Sequence, residues 1–155
     1  MTIDDRYRAQ LQAAIAALRY WVPTISDAAH VTQSDGSAYW SLAAEPNAAG
    51  ACPFELVLRT DGKHDIMIAG ESYEDLPTDD LDMFVPLACA IARGDVIRRM
   101  TVTAATGTPV TIETIVNLDG GKVWRQTRDL PSARHPDAAS EVLAEDRTFL
   151  PYKRE

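Results

Sequence analysis

Three Asp-Gly pairs, Asp35-Gly36, Asp61-Gly62 and Asp119-Gly120, each stand between segments in which apolar and polar residues alternate. Asp-Gly is a strong tight-turn signal, because glycine takes positive φ without steric cost and aspartate tolerates it. Alternation with period two marks a strand with one face buried. Short links between such segments favour antiparallel pairing, since parallel neighbours need long crossovers. The first hairpin is expected over 27–33 and 37–43. The second sets Phe54, Leu56 and Leu58 beside Ile66 and Ile68. Strands are expected again over 96–104, 109–118 and 122–128.

Two segments carry helical spacing instead. Tyr7, Leu11, Ile15, Leu18 and Val22 recur every three or four residues and form one stripe of a helix, which Pro23 ends. Leu81, Phe84, Val85, Ala88, Ile91 and Ala92 give a second apolar face over about 79–93, with Gly94 as a left-handed cap. Pro86 kinks this helix or moves its start to near residue 85. Residues 70–78 read as a polar loop. Residues 129–155, with Pro131, Pro136 and Pro151, read as an appended tail, with a short helix at 137–145.

The expected fold is therefore one α+β domain over residues 1–128, followed by the tail. A single antiparallel sheet of six to seven strands packs on two helices, in the order α-ββ-ββ-α-βββ. A chain of 155 residues buries enough surface to need no disulfide or metal staple.

A formal net charge of −8 repels phosphate backbones and anionic lipid, so a nucleic-acid or membrane-surface role is not expected. Cys52 and Cys89 form no Cys-x-x-Cys pair, and the acidic N-terminus lacks the basic and apolar regions of a signal peptide. No apolar run reaches membrane-spanning length. The cytoplasm is the expected compartment.

Catalytic signatures are missing. There is no Gly-x-Ser-x-Gly elbow, phosphate loop or dinucleotide fingerprint. His64 and Asp65 are strand neighbours that point to opposite faces. Cys52 would need His30 close in space to act as a nucleophile. The acidic stretch from Glu71 through Glu74 and Asp75 to Asp82 lacks calcium-loop spacing, so neither a metal nor a cofactor is expected there. It is a solvated loop or a docking surface for a basic partner.

Two further sets stand out. By parity, Val57, Met67 and Ile115 fall on the otherwise polar face of the sheet, where a contiguous apolar patch would mark an interaction surface. A second subunit, or the tail through Phe149, Leu150 and Tyr152, would cover it. Tyr39, Trp40, Trp124 and His30 would instead line a pocket between sheet and helices.

The order of elements, the small size and the acidic charge resemble type III secretion chaperones in outline. That likeness of element order, carried by no motif, implies a helix-plus-twisted-sheet dimer that holds an unfolded client segment. The expected function is a non-catalytic protein-binding module of chaperone-like or adaptor type. It would act through a sheet face or the acidic segment, with a homodimer as one form. The alternative is a small-ligand-binding protein or small hydrolase with an aromatic-lined pocket.

Overall fold

The computed structural model describes residues 3–130 and 141–153. Helix α1 (Ile3–Trp21) ends where Pro23 enters a short 3-10 turn, Val22–Thr24. Five consecutive strands follow: β1 (Ala29–Asp35), β2 (Tyr39–Pro46), β3 (Phe54–Arg59), β4 (Lys63–Ile68) and β5 (Glu71–Pro77). They form an antiparallel meander, sheet 1, in the order β1-β2-β3-β4-β5. After a 3-10 turn at Leu81–Met83 comes α2 (Phe84–Arg93), with Pro86 accommodated in its first turn. Then come β6 (Val96–Thr103), β7 (Pro109–Asn117), β8 (Val123–Asp129) and β9 (Val142–Thr148). These make sheet 2, also antiparallel, in the order β8-β7-β6-β9.

The single sheet of six to seven strands is thus corrected to two sheets, of five and four strands. The reason is edge occupancy. β6 is paired by β7 on one side and β9 on the other, so it has no edge left for β5. Side chains join the sheets instead. The Tyr73 and Thr114 hydroxyls lie 2.8 Å apart, and the Trp124 ring stands edge-on to Tyr73 with centroids 6.1 Å apart.

Two local expectations change as well. Residues 71–77 are a strand rather than a loop. Their hairpin turns at Ala69-Gly70, both with positive φ (55° and 80°), which is the backbone of a two-residue primed turn. Within the proposed helix at 137–145, residues 142–145 belong to β9, and 137–140 lie outside the described residues. No helix among the described residues is long and apolar enough to cross a membrane.

The inner face of sheet 1 packs on both helices. Leu18, Leu42 and Ile91 are among its fully buried contributors. The chain after β9 returns to this core. The Leu150 amide donates to the Gly50 carbonyl at 2.9 Å, and the Tyr152 amide to the Ala92 carbonyl at 2.8 Å. Gly94 makes that return possible. It caps α2 at φ +85°, and a Cβ there would lie 2.8 Å from the Phe149 carbonyl oxygen and 2.9 Å from the backbone of Leu150 and Pro151. A Gly94→Ala variant is expected to lose about 2 kcal/mol or more, combining left-handed strain with displacement of that backbone. Gly120→Ala, at φ +76° with nothing within 4 Å of its Cβ, should show the strain alone. Urea midpoints of the two variants check this: equal losses would mean that the close approach contributes nothing.

Candidate functional site

The outward face of sheet 1 is built by strand register. Thr32 faces Ala43, Ala43 faces Glu55, and Glu55 faces Met67, so these four form a row across β1 to β4. The adjoining row begins with His30 opposite Glu45. Ala43 is the small member of its row, and a dent forms over it. The result is a groove of about 250 Å3, floored mainly by apolar atoms and lined by His30, Thr32, Ala43, Pro53, Phe54, Met67 and Ile68. Met67 is 51% exposed there.

The groove's charge is one-sided. Glu45 and Glu55 line it, and among the described residues no lysine or arginine does. Neither carboxylate forms an ion pair or hydrogen bond to another described residue. The cations Arg59 and the exposed Lys63 lie farther along this outer face, and Arg59 is already engaged. Its guanidinium donates to Asp61, to Asp75 at 2.6 Å and to Asp65 at 3.3 Å. The Asp75 and Asp61 hydrogen bonds push its pKa above the ordinary guanidinium value, and Arg59 in turn holds Asp61 below the usual carboxylate range.

The structure separates the three expected apolar residues of the patch. Val57 and Met67 share the outer face of sheet 1, with Val57 half-buried between Ser41 and Asp65. Ile115 lies on sheet 2 and is 5% exposed, paired between Ile97 and Arg125. No single surface contains all three. Phe149 and Tyr152 are buried in the main core, and Met67 stays exposed.

The acidic set divides too. Glu71 turns inward and is almost fully buried, accepting hydrogen bonds from Arg98 at 3.1 Å and Arg128 at 2.7 Å. Burial pushes its pKa up, but the two guanidiniums outweigh that and leave it below the ordinary value. Glu74 and Asp75 sit at a bulge where two residues of β5 oppose Asp65 of β4. Asp75 takes φ +56° there, and its amide donates to the Asp65 carboxylate at 2.8 Å.

The expected aromatic pocket does not assemble. Trp40 and Trp124 point inward, at 2% and 6% exposure, from different sheets. Tyr39 and His30 point outward from sheet 1, at opposite ends of the β1–β2 pair. Arg19 stacks over Trp40 at 5.8 Å, and the buried Trp40 indole N–H has no hydrogen-bond partner among the described residues.

Other concavities carry less chemistry. A cleft of about 240 Å3 contains His64, Thr78, Asp79 and Trp124. The His64 Nδ1 lies 2.9 Å from the Thr78 hydroxyl, and its ring packs edge-on against Phe84 with centroids 5.0 Å apart. Burial pushes this imidazole's pKa down, so it is neutral at physiological pH. A nucleophile–base pair also needs a group that orients the base, and no described residue hydrogen-bonds the other ring nitrogen. A wider cleft of about 910 Å3 opens between the ends of α1 and α2 and residues 151–153. Its charges are neutralised locally, Arg93 by Asp95 and Asp119 and Lys153 by Asp27.

Cys52 is fully buried, and burial pushes its thiol up to about 11, which removes it as a nucleophile at neutral pH. Among the described residues no group of three His, Cys, Asp or Glu side chains is placed to hold a metal ion. Glu45, Glu55 and Ala43 were not singled out in the sequence. Glu55 shares the parity of Val57, so strand alternation alone could have placed it on this face. Ala43 becomes visible only through register. No protein-family model, curated protein or solved structure matches this chain.

Proposed function

We propose that this chain is a non-catalytic protein-binding module of adaptor or chaperone-like type, working through the outer face of sheet 1. The observation that carries the reading is the groove over Ala43, with exposed Met67 beside it. At about 250 Å3 the groove is smaller than the roughly 300–1,000 Å3 typical of small-molecule sites. It suits one anchoring side chain of a larger partner, because interface energy concentrates in a few pocketed residues. Methionine adapts its shape to different partners and is over-used at promiscuous binding surfaces. Cytoplasmic work is in keeping with two unpaired cysteines.

A photo-crosslinking residue placed at position 67 and expressed in the source cells tests this. It should give a discrete protein adduct that the same probe at exposed position 127 on sheet 2 does not give. Stability should change by no more than about 0.5 kcal/mol, as for most surface substitutions. Adducts that are absent at 67, or identical at both positions, would overturn the proposal.

A further inference from the structure

We infer that the occupant of this groove is an extended, positively charged segment of another protein. An aliphatic side chain of that segment seats over Ala43, and lysine or arginine lies beside Glu45 and Glu55. The inference rests on the protein-binding reading above and adds the chemistry of the partner.

Shape and charge each narrow the choice. The floor is made by Ala43, Pro53, Phe54, Met67 and Ile68, which offer contacts to hydrocarbon and almost no hydrogen-bonding capacity. A polar side chain entering there would lose its water without replacement. An aliphatic one loses nothing and fills the space. The two carboxylates at the rim have no cationic partner among the described residues. They lie in a protein of net charge −8, and Arg59, farther along the same face, is held by three aspartates. Among the described residues, no lysine or arginine lines the groove to compete with an incoming cation.

The same facts argue against other occupants. A two-fold pair through this face would bring each copy's Glu45 and Glu55 toward the other's, with no lysine or arginine in the lining to compensate. Nucleic acid would meet carboxylates where it needs cations. An extended segment suits a groove whose lining spans β1 to β4 and whose volume holds about one side chain. Within this arrangement the apolar anchor supplies affinity. The carboxylates supply selection and speed of encounter, which is the usual contribution of rim charges.

The test uses the full chain and three end-blocked, fluorescent heptapeptides: alternating Lys and Leu, alternating Glu and Leu, and alternating Lys and Ser. Anisotropy titrations at low and high salt should show binding of the Lys-Leu peptide, weakened by salt, and at least about tenfold weaker binding of the other two. Amide shifts in an NMR titration should concentrate at residues 30–32, 43–45, 53–55 and 67–70. Ala43→Leu, which fills the dent from the solvent side, should weaken binding about tenfold. The Glu45→Gln, Glu55→Gln pair should weaken it and flatten the salt dependence. Equal binding of the Glu-Leu peptide, or shifts spread over the acidic surface, overturns the inference. So does absence of Lys-Leu binding. If position 67 still crosslinks a partner in that last case, the binding module stands and only the cationic occupant falls.

Discussion

Replacing Glu71 by alanine is expected to lower stability by about 3 kcal/mol, a large effect for one side chain. The carboxylate joins the two sheets: it lies on β5 and accepts from Arg98 on β6 and Arg128 on β8. Removing it leaves Arg98 largely buried without a counter-charge among the described residues, where its Nε already has no hydrogen-bond partner. The cost falls at the lower end of the range for broken buried pairs because the Arg128 side chain is 44% exposed and rehydrates.

The same residue sets an acid limit. Its folded pKa lies below the ordinary value of 4.5, so the folded state holds the proton less tightly than the unfolded chain does. The contribution is complete above about 4.5 and is lost as pH falls through the lower folded value. Urea midpoints of the wild type and Glu71→Gln, measured from neutral pH downward, should converge in that acid window. Curves that stay parallel throughout would remove Glu71 from the acid response.

Phe84→Ala should cost about 3–5 kcal/mol, the range for truncating a buried aromatic residue. Phe84 opens α2 and is 1% exposed, with His64 edge-on to its ring. The variant carries a second signature. Water entering the vacated space rehydrates His64, so the imidazole pKa should rise from its depressed position toward the ordinary value. Denaturation gives the first readout and an NMR titration of the imidazole protons the second. A large stability loss with an unmoved His64 pKa would mean that the neighbouring side chains close the cavity.

Local chemistry was legible where one signal sufficed. The Leu11, Ile15 and Leu18 stripe gives α1, the Asp-Gly pairs fall at or beside chain reversals, and Gly94 caps α2. β5 was missed because its hairpin turns through Ala69-Gly70, without the usual Asn or Asp, and because the bulge at Glu74 and Asp75 breaks the alternation. β9 was missed for another reason. All seven of its residues are exposed, so no apolar periodicity marks it, and the partner that makes it a strand is β6, far back in the chain. The division into two sheets follows from that pairing and has no local sign. For the site, parity placed Val57 and Met67 on one outward face. It also grouped Ile115 with them, because parity fixes the side of a strand but not the sheet to which the strand belongs.

The way β9 closes sheet 2 bears on biosynthesis. Every strand of sheet 1 pairs with a sequence neighbour, so that meander is able to form once residue 77 has left the ribosome. β6 keeps one bare edge until residues 142–148 emerge. For that interval the nascent protein offers an unpaired ladder of amides and carbonyls to any extended chain nearby. A translational pause before residue 142 would prolong the interval, and one after 148 would not.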